Sequence, residues 1–399
     1  MKGRIVLRKI RKMVVLVLAL SMLLSVSIPA MGADAIAVKV DGKKIELDVA
    51  PVIEKSRTLI PIRAVVEELG GNVIFNASTQ AISINTADQE VKLTLNSKQA
   101  LVNGASQELE VPAKAVDGRT LVPLRFVGEA LGADVAYDAA SKTVNVKYFS
   151  NMSGTLKIGG STTIQPLAQA AADKLMAGNQ GLSITIAGGG SGEGIKGVHA
   201  GTFNIGNVSR DLEAADNVSY PGLISHRIGT DGIAVIVNPK NTVENLTKQQ
   251  VIDIFTGKIK NWKELGGKDA AIFVQTREAG SGTLTAFEEL ALLKKSKVLA
   301  TATPHTSTGL IKEAVARNEN AIGFISLGYM DNSVKAPKVE GVSALKSKAL
   351  SKEWPYVRSL VIVSKGTPSG LTAKYVNYLL SPMGQQIVSQ DYLPLKVVD

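Results

Sequence analysis

Three patterns of apolar and polar positions divide the chain. Residues 13–26 form an apolar run directly after a basic segment. Between about residues 36 and 148, apolar and polar residues alternate in short stretches bounded by glycines, which predicts β-hairpins. From residue 154 onward, short apolar runs alternate with longer helical stretches. That alternation predicts an α/β domain with largely parallel sheets.

Strands and helices are predicted throughout the C-terminal part of the chain. The predicted strands lie at residues 156–158, 182–187, 232–237, 271–274, 321–325 and 356–363. The predicted helices lie at residues 167–176, 248–255, 284–294, 309–317 and 372–380. In sheets of this kind, ligands bind beyond the carboxyl ends of strands, where helices begin.

The first apolar run predicts a secretory signal peptide. Six Lys and Arg residues precede it, and small residues follow it between Ala30 and Ala35. We place the signal peptide at residues 1–33, with cleavage between Gly32 and Ile36; the alternative is an uncleaved anchor. Cleavage would leave 39 basic residues against 35 acidic ones, a net charge of +4. This charge is dispersed, so nucleic acid is not an expected partner.

The chain contains no cysteine. Disulfides are therefore excluded, and a chain of this length must be stabilised by ordinary apolar cores. No cysteine near the cleavage site can carry a lipid. We expect an exported bacterial protein, extracellular or at the cell surface or wall, without a lipid anchor.

Residues 57–86 and 119–148 are copies of each other, offset by 62 positions. The segment R-T-L-I-P-I-R at 57–63 matches R-T-L-V-P-L-R at 119–125. Each copy predicts a short strand, a helix of about ten residues that begins at proline and ends at glycine, and a hairpin. Two such copies can bury each other's apolar faces. The repeat therefore predicts a small α+β domain at residues 34–149.

This repeat resembles the copper amine oxidase N-terminal-like domain. Its residues include no histidine and no cysteine, so no copper site is expected. We interpret the domain as a stalk or attachment module. Four arginines of the repeated motif could bind a polyanion of the cell wall, or could equally be structural: Arg57, Arg63, Arg119 and Arg125.

Four segments rich in glycine, hydroxyl groups or arginine follow predicted strands, at residues 159–163, 188–194, 208–210 and 277–283. At a helix start the backbone N–H groups lack partners and the helix dipole favours negative charge. Hydroxyls add neutral donors, and arginine adds a planar, bidentate contact. Together the four segments predict an oxyanion site assembled from distant parts of the chain.

Enzymatic motifs are absent or incomplete. A Gly-x-Gly-x-x-Gly match at residues 192–197 is crowded by Ser191 and Glu193, which disfavours dinucleotide binding. Neither Ser191 nor Ser281 completes a Gly-x-Ser-x-Gly motif, and the histidines lack metal-ligand spacing. We expect no enzyme, no catalytic residue, no metal and no cofactor.

Seven segments carry a resemblance to a known family. They are G-S-T-T-I-Q-P-L at 160–167, G-G-G-S-G-E-G-I at 188–195, I-G-N-V-S-R-D-L at 205–212, T-D-G-I-A-V-I-V-N-P at 230–239, F-T-G-K-I-K-N-W at 255–262, R-E-A-G-S-G-T at 277–283 and A-I-G-F-I-S-L-G-Y at 321–329. With them, residues 150–399 resemble the phosphate-binding proteins of ABC phosphate importers. The resemblance implies a two-lobed, periplasmic-binding-protein-like domain (class II type) that closes on one phosphate and serves a membrane permease.

The resemblance also implies a set of site residues. Thr162, Thr163 and Ser191 would come from one lobe, and Arg277, Ser281, Gly282 and Thr283 from the other. Some members carry aspartate where this chain has Ser209, followed by Arg210; that carboxylate accepts the proton of hydrogen phosphate. Asp231 is our candidate for the acceptor and Asp211 the second candidate. Asp231 could equally form an ion pair that orients Arg210 or Arg277.

Three functions follow from these observations. The first is a solute-binding protein that delivers inorganic phosphate to an ABC importer. The second is a binder of another oxyanion, such as sulfate or a phosphonate, on the same scaffold. The third is a surface protein whose N-terminal domain makes the essential contact with the cell wall, with phosphate capture secondary.

Overall fold

The computed structural model describes residues 36–395 and contains a repeat-derived N-terminal domain and a two-lobed C-terminal domain. The predicted signal peptide lies outside the described residues. No helix within residues 36–395 has the length and apolar content needed to cross a membrane.

The N-terminal domain is mostly β-structure. Its helices are α1 (Arg63–Glu68) and α2 (Leu124–Ala130). Its strands are β1 (Ala37–Val40), β2 (Lys43–Lys44), β3 (Val52–Glu54), β4 (Arg57–Pro61), β5 (Asn72–Asn76), β6 (Ala81–Asn85), β7 (Glu90–Thr94), β8 (Gln99–Val102), β9 (Ala105–Glu108), β10 (Lys114–Val116), β11 (Arg119–Pro123), β12 (Asp134–Asp138) and β13 (Thr143–Lys147). They form three sheets, ordered β12-β13-β1-β2, β10-β11-β4-β3 and β5-β6-β7-β8-β9.

Both copies of the repeat fold as a strand, a helix and a hairpin, as the sequence predicts. The helices are shorter than the expected ten residues, with six in α1 and seven in α2. Gly70 and Gly132 follow them with φ of +80° and +82°, a left-handed conformation that ends a helix. Strands β4 and β11 of the two copies pair antiparallel, with Ile60 opposite Val122. The two copies thus pair at the centre of one sheet, where Ile60 and Val122 are buried.

The N-terminal domain packs against the C-terminal domain through a shared apolar core. The side chain of Asn377 is buried there; its Oδ1 accepts a 2.8 Å hydrogen bond from the Ala87 amide, and its Nδ2 donates to the Tyr148 hydroxyl at 2.7 Å. The Lys374 ammonium donates to the Tyr148 carbonyl at 2.6 Å. The stalk interpretation is therefore wrong, because continuous burial joins this domain to one lobe. The alternative of an attachment module stays a prediction.

The C-terminal domain alternates strands and helices. Its helices are α3 (Gln165–Ala177), α4 (Ser191–Ala200), α5 (Ala214–Ser219), α6 (Lys248–Phe255), α7 (Gly282–Leu290), α8 (Thr308–Arg317), α9 (Lys346–Leu350), α10 (Gly370–Leu380) and α11 (Pro382–Asp391), with 3₁₀ turns at Trp262–Leu265 and Leu327–Tyr329. Its strands are β14 (Gly154–Gly160), β15 (Leu182–Gly189), β16 (Ile205–Val208), β17 (Leu223–Val237), β18 (Asn245–Leu246), β19 (Phe273–Arg277), β20 (Thr303–His305), β21 (Ala321–Ser326), β22 (Lys338–Val339) and β23 (Val357–Lys365).

Eight of these strands form a sheet ordered β15-β14-β16-β23-β17-β21-β19-β20, and β18 pairs with β22. The pairs β14–β15, β14–β16, β19–β20 and β19–β21 are parallel. The pairs β16–β23, β17–β23 and β17–β21 are antiparallel. The sheet is therefore mixed rather than largely parallel, because the strands at its centre are crossing strands.

Strand β17 is 15 residues long and belongs to both lobes. Residues 223–232 pair with β23, and residues 233–237 pair with β21. Lobe 1 thus comprises about residues 150–230 and 357–395, and lobe 2 about residues 232–356. Each lobe has its own apolar core. The two-lobed α/β architecture that the sequence predicts is confirmed, with β17 and β23 as the connections.

Candidate anion-binding site

The glycine-rich segments lie at strand-to-helix junctions, as predicted. Residues 159–163 connect β14 to α3, residues 188–194 connect β15 to α4, and residues 277–283 connect β19 to α7. The first two belong to lobe 1 and the third to lobe 2. Because these junctions meet between the lobes, they form a cradle of hydroxyl groups and helix starts.

The two lobes touch at this cradle. The hydroxyls of Thr163 and Thr283 are 3.0 Å apart, and the Gly192 amide donates to the Gly280 carbonyl at 2.9 Å. The Tyr329 hydroxyl of lobe 2 donates to a lobe 1 carbonyl, that of Thr162, at 2.6 Å. The structure is therefore the closed form of a two-lobed cleft.

Arg277 enters the cradle from the end of β19 and is 3% exposed. Its Nε donates to the His305 carbonyl at 3.1 Å, and its Nη atoms donate to the hydroxyls of Thr308 and Thr162 at 3.2 and 3.3 Å. Burial, with a smaller contribution from the positive charge of Arg358, lowers the pKa of Arg277 to about 10. Arg277 is therefore still charged at neutral pH, and its contact with Thr162 joins the lobes.

Arg358 is a second buried guanidinium in the cradle, and it was not among the site residues predicted from the sequence. Its Nη1 donates to the hydroxyls of Thr283 at 2.8 Å and Ser209 at 3.3 Å, and its Nη2 donates to that of Thr163 at 3.3 Å. A signal was available, because Arg358 interrupts the apolar run at 356–363. A charged side chain in a buried strand needs partners, which marks it as a candidate site residue.

Asp231 is 1% exposed and lies opposite Arg358 on the paired crossing strands. Arg358 donates from Nε at 3.1 Å and Nη2 at 2.8 Å to Oδ2 of Asp231. The Ser326 hydroxyl donates to Oδ1 at 2.9 Å, and the Leu327 amide also donates to the carboxylate. Burial raises the pKa of Asp231, and these donors oppose that effect.

Four donors occupy the roughly four acceptor positions of the Asp231 carboxylate. A carboxylate in this state has little capacity to accept a ligand proton. The geometry thus favours the ion-pair alternative for Asp231, with Arg358 as its partner rather than Arg210 or Arg277.

Three serines (Ser191, Ser209 and Ser281) and Gly282 lie around the centre of the cradle. Ser191 and Ser209 are fully buried, and the Ser209 amide donates to the Ser191 hydroxyl at 3.1 Å. The Ser281 hydroxyl caps α7 by accepting from the Leu284 amide at 3.3 Å. A Cβ on Gly282 would lie 2.2 Å from the Ser191 hydroxyl oxygen and 2.8 Å from that of Ser209. Only glycine permits this approach of the two lobes.

Arg210 and Asp211 lie outside the cradle. The Arg210 guanidinium pairs with Asp216 of α5, at 3.0 Å from Nη2 to Oδ1. Asp211 is exposed, and its carboxylate accepts a 3.1 Å hydrogen bond from the Ser359 hydroxyl. The chain bends at residues 209–210, so Ser209 faces the cradle while the ion pair with α5 holds Arg210 away from it.

The charges in the cradle sum to about one positive charge, from Arg277, Arg358 and Asp231. Hydroxyls and helix starts from both lobes complete the donor set. No group of three or more His, Cys, Asp or Glu side chains within residues 36–395 could hold a metal ion. The arrangement suits a small tetrahedral anion, held by neutral donors and two guanidinium groups.

Both domains match known protein families. Residues 149–383 match the PBP superfamily domain, and residues 39–146 match the copper amine oxidase N-terminal domain. The phosphate-binding protein PstS of Bacillus subtilis is 34% identical over 258 residues, which cover 64% of this chain and 85% of that protein.

Two solved structures are also similar. A phosphate ABC transporter substrate-binding protein from Clostridium perfringens, with bound phosphate, is 40% identical with a TM-score of 0.58, covering 61% of this chain and all of that one. An ABC-type phosphate transport receptor from Vibrio cholerae is 31% identical with a TM-score of 0.52, covering 60% of this chain and all of that one.

The two-lobed fold and the cradle between its lobes define a substrate-binding protein, and the chain belongs to the PBP superfamily. Within that superfamily, these relatives are phosphate-binding proteins of ABC phosphate transporters. A domain of the copper amine oxidase N-terminal type precedes the superfamily domain in this chain.

Proposed function

We propose that this protein binds inorganic phosphate outside the cytoplasm and delivers it to the membrane permease of an ABC importer. The observation that carries the proposal is the cradle in which Arg277 and Arg358 converge with hydroxyls of both lobes. Lobe closure buries these donors, so the open and closed forms present different surfaces to a permease. No reaction is required of the site.

The proposed ligand contacts come from both lobes and from the crossing strands. They are Thr162, Thr163, Ser191, Ser209, Arg277, Gly282, Thr283 and Arg358, with Asp231 holding Arg358 in place and Ser281 capping α7. Arg210 is left out of this set because it pairs with Asp216. Export, attachment to the cell surface without a lipid, and contact of the N-terminal domain with the cell wall remain part of the proposal.

Isothermal titration calorimetry of the full chain tests the ligand. Phosphate is expected to bind one-to-one, and sulfate at the same concentration is expected to give at most weak binding. If sulfate or a phosphonate binds more tightly than phosphate, that anion would replace phosphate as the proposed ligand. The absence of binding by all three anions would refute an oxyanion function.

Gly282→Ala is expected to weaken phosphate binding at least tenfold. The added methyl group would overlap the Ser191 hydroxyl of the opposite lobe and prevent full closure. Gly309→Ala is the matched control, because a Cβ there meets no atom nearer than 3.9 Å and its helix lies in the same lobe. Calorimetry should show wild-type phosphate affinity for the control. Equal affinity in both variants would show that phosphate binding does not require the close approach of the two lobes at Gly282.

Asp231→Asn is expected to lower phosphate affinity and relax the exclusion of sulfate. The substitution removes the carboxylate that holds Arg358 in place, which weakens the contacts of its guanidinium with phosphate. It also raises the cradle charge from about +1 to +2, which favours sulfate, a full dianion, over phosphate, which is partly a monoanion at neutral pH. Asp211→Asn is the control, since Asp211 is exposed and lies outside the cradle. The ratio of the dissociation constants for sulfate and phosphate, measured by calorimetry for each variant, gives the discrimination between the two anions. Loss of discrimination in Asp211→Asn but not in Asp231→Asn would assign the role to Asp211.

A further inference from the structure

The repeat creates two equivalent cavities in the N-terminal domain. The first repeat cavity, of about 460 Å³, lies between α1, the β5–β6 hairpin and the β10–β11 turn. The second repeat cavity, of about 360 Å³, lies between α2, the β12–β13 hairpin and the β3–β4 turn. Because β4 pairs with β11, each cavity takes its helix and one hairpin from one copy and its turn from the other.

Matching residues line the two cavities at the repeat offset of 62. Arg63, Phe75 and Arg119 line the first; Arg125, Tyr137 and Arg57 are their counterparts in the second. Two of these arginines have equivalent structural partners: Arg57 pairs with Glu110 and Arg119 with Asp48, and these acids are also 62 residues apart.

The arginines at the helix starts are differently placed. Arg63 and Arg125 are exposed at the beginnings of α1 and α2. Within residues 36–395, Arg125 pairs with Glu129, at 3.9 Å, and both side chains are more than half exposed. An exposed pair at that distance stabilises little, so the Arg125 guanidinium is available to a ligand.

The two cavities differ in charge. Three carboxylates line the first one, those of Glu46, Asp48 and Glu67. Among the described residues, neither aspartate nor glutamate lines the second, which combines Arg57 and Arg125 with apolar side chains and a few hydroxyl groups. The duplicated cavities have therefore diverged. The lining of the first carries more negative than positive charge, whereas in the second, where Glu110 pairs with Arg57, Arg125 supplies the positive charge that would attract an anion.

The β3–β4 turn adds a hydroxyl group to the second cavity at a cost in stability. Lys55 and Ser56 have φ of +47° and +63°, a conformation that favours glycine. The equivalent turn of the first cavity has Asp117 and Gly118, the residues such a turn prefers. Ser56 lines the second cavity where Gly118 lines the first. Serine at this position costs stability relative to glycine, and what it adds to the cavity is a hydroxyl group.

We propose that the second repeat cavity binds an acidic sugar unit of an extracellular polysaccharide. Arg125 would bind the carboxylate in bidentate geometry, and the half-exposed ring of Tyr137 would pack against the apolar face of the sugar. The hydroxyls of Ser56 and Thr58 would meet sugar hydroxyls. The cavity volume lies in the range of small-molecule sites, about 300–1,000 Å³.

This inference rests on the proposed location outside the cytoplasm, but not on phosphate binding. The test is titration of the full chain with oligogalacturonate by calorimetry. We expect binding that falls at least tenfold in Arg125→Ala and in Tyr137→Ala. The repeat-equivalent variants Arg63→Ala and Phe75→Ala should stay within twofold of wild type. Phosphate affinity, measured on the same samples, should be equal in all four variants.

Other outcomes would overturn the inference. These are no binding of oligogalacturonate, equal losses in Arg125→Ala and Arg63→Ala, or equally tight binding of linear polyphosphate, which would indicate charge alone. Ser56→Gly gives a second check: it should raise the melting temperature and weaken oligogalacturonate binding. Higher stability with unchanged binding would contradict a role for the hydroxyl. If the wild type fails to bind phosphate, the proposed function is rejected. The titration with oligogalacturonate would still test the second repeat cavity.

Discussion

Replacing Arg277 with alanine is expected to weaken phosphate binding by about a hundredfold or more. Arg277 is one of two guanidinium groups in the cradle, and it contacts Thr162 across the lobes. Hydrogen bonds from a charged group contribute roughly 1.5–3 kcal/mol each, so two such contacts to an oxyanion account for that loss. Calorimetry of wild type and variant measures it.

Arg210→Ala is the matched control for this experiment. Arg210 follows the cradle residue Ser209 in sequence and also carries a guanidinium, but pairs with Asp216. Its replacement should leave phosphate affinity within threefold of wild type. A change below threefold in Arg277→Ala would show that Arg277 is structural, and a large loss in Arg210→Ala would restore Arg210 to the site.

Much of the fold was predictable from local patterns. The repeat predicts strands, helices and hairpins at matching positions, and the structure has them. Helix α6 begins and ends where the sequence predicts. The cradle segments were recognisable because glycines and hydroxyls at strand-to-helix junctions are local features. Such features depend on residues close together in the chain, which sequence patterns record well.

Features that depend on distant residues were not predictable in the same way. Arg358 and Asp231 are 127 positions apart, and only the register of β17 against β23 places them opposite each other. The contact between the N-terminal domain and lobe 1 includes the buried side chain of Asn377, which looks like an ordinary helical residue in the sequence. No local pattern encodes either contact.

Replacing Arg358 with alanine is expected to lower both stability and phosphate affinity. Asp231, which is 1% exposed, would lose its guanidinium partner. Removing one member of a buried ion pair costs about 3–5 kcal/mol, because the other charge is left uncompensated. Urea unfolding at neutral pH measures the free energy of unfolding, and calorimetry under native conditions measures phosphate binding, which should fall by a hundredfold or more.

The double variant Asp231→Asn with Arg358→Gln separates the two roles of Arg358. It removes both charges of the Asp231–Arg358 pair and leaves neither one uncompensated, so most of the lost free energy of unfolding should return. Phosphate binding should stay weak, because the guanidinium that donates to the hydroxyls of Thr163 and Thr283 is still missing. Binding that returns together with stability would show that Arg358 only supports the crossing strands. A single Arg358→Ala with wild-type stability would contradict the buried ion pair itself.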